Sequence, residues 1–180
     1  MGFVPPPFTH AEKIMVKDGI AYQTETGEPF TGVSKSFWDN GRVKESTTYK
    51  KGKKHGREEW FWWTSRIRQK VNYKYGQREG LFEAFSRHGP LEQRVRYKKG
   101  KKEGDEKWWN AKKVLLAHNS YRQGKLEGVA EIFHDNGKLA VKSHFKHGKR
   151  EGLWEKFDED GNVLAKVFYK KGKRTSLPKK

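Results

Sequence analysis

The chain has 180 residues, of which 33% are hydrophobic and 34% charged, and its mean hydropathy is -1.10. That is little material for a round core, yet 14% of the residues are aromatic, which separates the chain from disordered ones and points to a thin, elongated, ordered protein. The absence of cysteine excludes disulfide frameworks, cysteine-based zinc sites and thiol chemistry, and a formal net charge of +18 points to a polyanionic partner.

In chain order, residues 1–13 contain Pro5, Pro6 and Pro7 and read as an extended arm. They lack the charged region and apolar stretch of a secretory signal, and Pro6 stands where a myristoylation signal needs Ser or Thr. No apolar run approaches the ~18 residues of a membrane span, so an intracellular, cytoplasmic location is the expectation, with organellar import left open. Residues 14–31, IMVKDGIAYQTETGEPFT, read as an irregular hairpin that caps the segment after it.

From residue 32 to residue 175 the chain is a repeat, and the near-identical YKKGKKHG (49–56) and YKKGKKEG (97–104) are its punctuation. Glycine falls at 32, 56, 80, 104, 128 and 152, a spacing of 24, and again 20 residues into each unit, from Gly52 to Gly172. Counting from the first glycine as zero, offset 5 is always aromatic (Phe37, Phe61, Phe85, Trp109, Phe133, Phe157) and offset 11 always aliphatic (Val43, Ile67, Leu91, Leu115, Leu139, Val163). Offset 17 is aromatic again (Tyr49, Tyr73, Tyr97, Tyr121, Phe145, Tyr169).

Each unit reads as a β-hairpin, because WDNG, HDNG and DEDG midway carry the chemistry of a tight turn with positive φ. Ser65 and Lys113 replace the turn glycine in two units, where a wider or differently shaped turn is expected. Offsets 5, 11 and 17 are all odd, so one buried face is expected to carry them, with charged even positions such as Lys70, Arg94, Lys142 and Lys166 in solvent. Helix has no support, since no stretch keeps a 3.6-residue apolar period. The predicted fold is all-β: a single-layer antiparallel meander of six stacked hairpins, growing by roughly 9.6 Å per unit at ~4.8 Å per strand, with an N-terminal capping hairpin. Residues 176–180 form a basic tail, with Pro178 as a stop.

WDNGRVKESTTYKKGKKHG (38–56), HDNGKLAVKSHFKHGKREG (134–152) and GEPFTGVSKSFWDNG (27–41) resemble variant MORN repeats, of the kind found in bacterial proteins described as antitoxin-like. The resemblance covers roughly residues 18–174. It implies a rigid hairpin array that serves as scaffold or binding surface, of a type that occurs in membrane-associated, cytoskeletal and signalling proteins.

No catalytic constellation, metal-ligand set or cofactor motif accompanies the repeat. The seven histidines fall at scattered offsets. Carboxylates recur at offset 3 (Glu59, Glu83, Glu131, Glu155) and just before the unit glycine (Glu79, Glu103, Glu127, Glu151). An active site is built once, so this repetition reads as cross-strand pairing with lysine, and the chain is expected not to be an enzyme and to take no small-molecule substrate.

The cations are organised. Lys50, Lys74, Lys98, Arg122, Lys146 and Lys170 hold offset 18, and offsets 19, 21 and 22 add Lys53, Lys54, Arg78, Lys101, Lys102, Lys125, Lys149 and others. Nineteen of the 40 basic residues thus fall in one turn type and form a ridge along one long edge. Trp38, Trp60, Trp62 and Trp108 occupy even offsets and form a second candidate surface. The expected function is a non-catalytic scaffold that binds an acidic protein or larger assembly through this ridge and the Trp-bearing face. Binding to nucleic acid or a ribonucleoprotein is the alternative, followed by anionic membrane and by antitoxin-like neutralisation of a partner.

Overall fold

The computed structural model describes residues 14–176; the proline-rich arm and the end of the basic tail lie outside the described residues. The strands are β1 (Ile14–Lys17), β2 (Ile20–Gln23), β3 (Gly32–Phe37), β4 (Val43–Lys50), β5 (Lys53–Phe61), β6 (Ile67–Lys74), β7 (Gln77–Phe85) and β8 (Leu91–Lys98). They continue as β9 (Lys101–Trp109), β10 (Leu115–Arg122), β11 (Lys125–Phe133), β12 (Leu139–Lys146), β13 (Lys149–Arg150), β14 (Gly152–Phe157), β15 (Val163–Lys170) and β16 (Lys173–Thr175). No helix occurs among the described residues. From β3 to β16 the strands pair antiparallel in chain order, β13 apart, which makes one open meander. β13 and β14 both pair with β12 and are one strand interrupted at Glu151.

Two kinds of turn build the array. The turn that joins one unit to the next has two successive residues at positive φ, such as Lys51 (49°) then Gly52 (75°), and Lys99 (49°) then Gly100 (76°). This is the backbone of a two-residue type I′ hairpin, which requires left-handed φ at both central positions and explains the glycine at offset 20. The mid-unit turn has one left-handed residue, at offset 9. There Ser65 (66°) and Lys113 (64°) adopt the same conformation as Gly41 (77°) and Gly137 (82°). Their turns close with the same pair of backbone bonds: Trp62 N to Arg66 O at 2.8 Å and Ser65 N to Trp62 O at 2.9 Å match Trp38 N to Arg42 O and Gly41 N to Trp38 O, both at 2.8 Å. The expectation of differently shaped turns at Ser65 and Lys113 is therefore overturned. The ladder on either side fixes the turn, and the non-glycine residues are held in a strained conformation.

The expectation of one face for offsets 5 and 17 also fails. Phe82 and Glu83 are adjacent on β7 and point to opposite faces. On the Phe82 side, its ring meets Tyr97 edge-on, 6.5 Å between centroids. On the Glu83 side, Lys70 bridges to Glu83 at 2.9 Å and sits over the Phe85 ring. Phe85 and Tyr97 thus lie on opposite faces. The physical reason is the register shift at every mid-unit turn, where Phe85 pairs with Leu91 but Ala84 with Gln93, so odd spacing no longer means one side.

The deepest row is one that hydrophobicity did not mark. Offset 15 of a unit stands between offset 2 of the same unit and offset 2 of the next: Val71 pairs with Glu58 and Phe82, and Val95 with Phe82 and Glu106. Thr47 with Glu58 and Asn119 with Ala130 extend the row in both directions. Thr47, Glu58, Val71, Val95, Glu106 and Ser143 on this row are buried, and Val95 has no exposed surface. A single sheet has no second layer, so the cover comes from its own long side chains. Lys54 reaches back to Glu58, Lys102 to Glu106 at 2.6 Å, and Gln93 donates to Glu106 at 2.9 Å. Offset 5, by contrast, is half-buried or exposed, Phe37 at 39%.

The N-terminal hairpin β1–β2 docks on the first basic turn. Ala21 N donates to Gly52 O (2.8 Å), Gly52 N to Phe30 O (2.7 Å) and Phe30 N to Ala21 O (2.9 Å), and Ala21, Phe30 and Tyr49 pack beneath as a small apolar cluster. Every later unit repeats the middle bond: Gly76 N to Lys54 O, Gly100 N to Arg78 O, and so to Gly172 N with Arg150 O. The basic turns are thereby hydrogen-bonded to one another along the edge.

Candidate functional site

The type I′ geometry sets the two flanking residues of each basic turn directly across from each other. Lys50 pairs with Lys53, Lys98 with Lys101, Arg122 with Lys125, Lys146 with Lys149 and Lys170 with Lys173; only Lys74 faces a neutral residue, Gln77. Like charges directly opposite destabilise a hairpin. All of these cations are exposed, and among the described residues none of them forms an ion pair.

Four cations of the sequence-derived ridge, all at offset 22, face the other way, among them Arg150, which lies over the Tyr169 ring. Lys54 and Lys102 are half-buried over the rings of Tyr73 and Tyr121 and are bonded to Glu58 and Glu106. Burial acts to lower the pKa of each lysine, but the hydrogen bond and charge of its glutamate outweigh it and hold the ammonium above its usual value. Arg78 donates to the Tyr73 and Tyr97 hydroxyls (3.4 and 3.3 Å) and lies over Phe82 and Tyr97. Their charge works inside the array.

The tryptophans are held in different ways. Trp38 and Trp62 donate their indole N–H to the carbonyls of Phe61 and Phe85 in the next unit (3.2 and 3.3 Å), and Lys44 and Arg68 lie over their rings. They are inter-unit ties. Trp60 is half-buried, and Trp108 is 40% exposed. Trp63, 43% exposed beneath Arg87, was not singled out in the sequence; it comes directly after Trp62 in a turn, where strand alternation gives no signal.

The two carboxylate series have different roles. At offset 3, Glu83 binds Lys70 (2.9 Å) and Arg94 (2.8 Å), Glu155 binds Lys166 (2.9 Å), and Glu131 lies 3.8 Å from Lys142. His118 takes the lysine position in the fourth unit, 3.0 Å from Asp105 and 3.4 Å from Glu131, and its hydrogen bond holds the Asp105 carboxyl below the usual range. Among the described residues the series before the unit glycine pairs with no lysine, contrary to the sequence reading. Glu79, Glu103, Glu127 and Glu151 accept the backbone N–H of Lys99, Gln123, His147 and Lys171 in the next basic turn, at 2.8, 2.8, 2.6 and 2.6 Å. Thr31 serves Lys51 in the same way at 2.8 Å. A type I′ turn leaves this donor without a ladder partner, and the preceding unit supplies one.

Two adjoining depressions lie on the face opposite the buried row. One, of about 710 Å³, is lined by His55, Gly56, Asn72, Tyr73, Lys74, Glu79, Gly80, Arg96, Tyr97, Lys98 and Glu103. The other, of about 510 Å³, is lined by Leu81, Arg94, Arg96, Glu103, Gly104, Asp105, Lys107 and Trp109. Arg96 and Glu103 belong to both, so they form one groove along the array beside the basic turns.

Residues 30–51, 126–147 and 150–171 match the family described as the MORN repeat variant. Over these three stretches the chain is similar to variant MORN repeats. Each matched MORN stretch begins two residues before a unit glycine and ends on the first left-handed residue of the next basic turn, Lys51, His147 or Lys171. The intervening units keep the same turns and ladder. No curated protein matches the chain.

Proposed function

We propose that this MORN-repeat chain is a non-catalytic binding scaffold that takes an acidic protein partner along its basic turns. One observation carries the reading: five turns in the array hold two cations face to face, exposed and without an ion pair. Each arrangement costs hairpin stability, on the order of 0.2–1 kcal/mol, while the carboxylates nearby are tied to backbone or to other cations. An anionic partner would supply what the fold leaves out. Neutralising a partner, as an antitoxin-like protein does, would use the same surface.

The test is binding of poly-glutamate, single-stranded DNA and vesicles with anionic headgroups at two salt concentrations. The reading expects poly-glutamate to bind, more weakly at higher salt. Tighter binding of DNA with a salt slope of several phosphates would replace it with the nucleic-acid reading, and vesicle binding alone with the membrane reading.

A further inference from the structure

Resting on that reading, we propose that the groove of units two to four receives an extended acidic segment of the partner, with a carboxylate at every third residue and Arg96 as its central anchor. Arg96 lines the groove together with Lys74 and, two residues further on its own strand, Lys98; it is exposed and forms no ion pair among the described residues. It lies opposite Leu81 across the ladder. The acids of the wall are already engaged: Glu79 and Glu103 with backbone N–H groups, Asp105 with His118 and Ser120. Arg94 is held by Glu83, but Lys74, Lys98 and Lys107 form no ion pair among the described residues.

The repeat fixes the spacing of the ligand. Lys74 and Lys98 occupy the same offset in successive units, two strands apart, or roughly 9.6 Å. A polyproline II segment advances ~3.1 Å per residue with three residues per turn, so every third side chain returns to the same side after ~9.3 Å. Its carboxylates would stay in step with the units. A β-strand returns a side chain to one face after ~6.6 Å and falls out of step. Nor can a strand be added here, because the groove floor is a sheet face whose backbone groups are bonded within the ladder. Leu81, 38% exposed, and Trp109 give the same groove an apolar wall for the residues between the acids.

The experiment uses the full chain and two labelled peptides of identical composition, about ten residues long to span three units. One has glutamate at every third position among prolines and alanines, the other at every second. Fluorescence anisotropy is expected to show about tenfold tighter binding of the first. Arg96→Glu should remove that preference without changing thermal unfolding, and Lys74→Glu should weaken the first peptide as a second variant. Equal affinity for both peptides, or a preference that survives in Arg96→Glu, overturns the groove; the acidic-partner reading then still stands if charge reversals at Lys50 and Lys146, outside the groove, weaken both peptides equally. Displacement of both peptides by a far more tightly bound single-stranded DNA overturns both proposals.

Discussion

Gly52 and Gly76 hold the same place in successive basic turns, at φ 75° and 85°. Their surroundings differ. A Cβ at Gly76 would meet nothing within 4 Å, whereas one at Gly52 would overlap Ile20 Cγ2 and stand 3.0 Å from the Ala21 carbonyl and 3.4 Å from Pro29 Cβ. Gly76→Ala should therefore cost only the left-handed strain, about 1–2 kcal/mol. Gly52→Ala adds the undocking of the capping hairpin. That removes the bonds Ala21 N to Gly52 O and Gly52 N to Phe30 O, and exposes Phe30, now 2% accessible. At about 1 kcal/mol for each of the two hydrogen bonds and about 2 kcal/mol for the ring, the excess over Gly76→Ala should be roughly 4 kcal/mol, less whatever the hairpin recovers by shifting. Urea unfolding of both variants gives the difference, and amide exchange at Ala21 and Phe30 reports undocking directly. Equal costs, with both amides still protected in Gly52→Ala, would refute the role assigned to the hairpin.

Val95→Ala should destabilise by about 2 kcal/mol, two buried methyl groups plus a cavity, whereas Val163→Ala, at a position 49% exposed, should cost well under 1 kcal/mol by urea unfolding. Ser65→Gly and Lys113→Gly should each raise stability by about 0.5–1 kcal/mol, since the strain relieved exceeds the entropy glycine adds to the unfolded chain. Burial works to raise the Glu83 pKa, but Lys70 and Arg94 outweigh it and hold the carboxyl below its usual value. A carboxyl so depressed contributes stability that is complete above the unfolded value near 4.3 and is lost as pH falls through the folded one. The melting temperature should therefore drop below about pH 4.5, less steeply in Glu83→Gln than in the parent chain.

The period was legible because its glycines answer a backbone demand: offset 20 needs left-handed φ in every unit, and no side chain disguises that. The faces were not, because the one-residue slip at Phe85 and Leu91 breaks the alternation on which parity rests. Glu58 and Glu106 look like solvent residues, and only the lysine four positions earlier, folding back over each, makes them part of the buried row. The bonds of two tryptophans were hidden for a related reason. Composition marks Trp38 and Trp62 as surface anchors, but a carbonyl one unit away uses their N–H. The turn itself dictates which lysines are exposed, whereas nothing in the repeat singles out Arg96: it lines the groove at an offset where no other unit has a lysine or arginine.

The claim that the basic turns exist for a partner and not for the fold is tested most directly by reversing one side of each of the five pairs, with Lys50, Lys98, Arg122, Lys146 and Lys170 all changed to Glu. Each repulsive pair becomes an attractive one across the same hairpin. Thermal unfolding should rise while affinity for poly-glutamate falls by about tenfold or more. A variant that melts lower, or binds as tightly as before, would contradict the account.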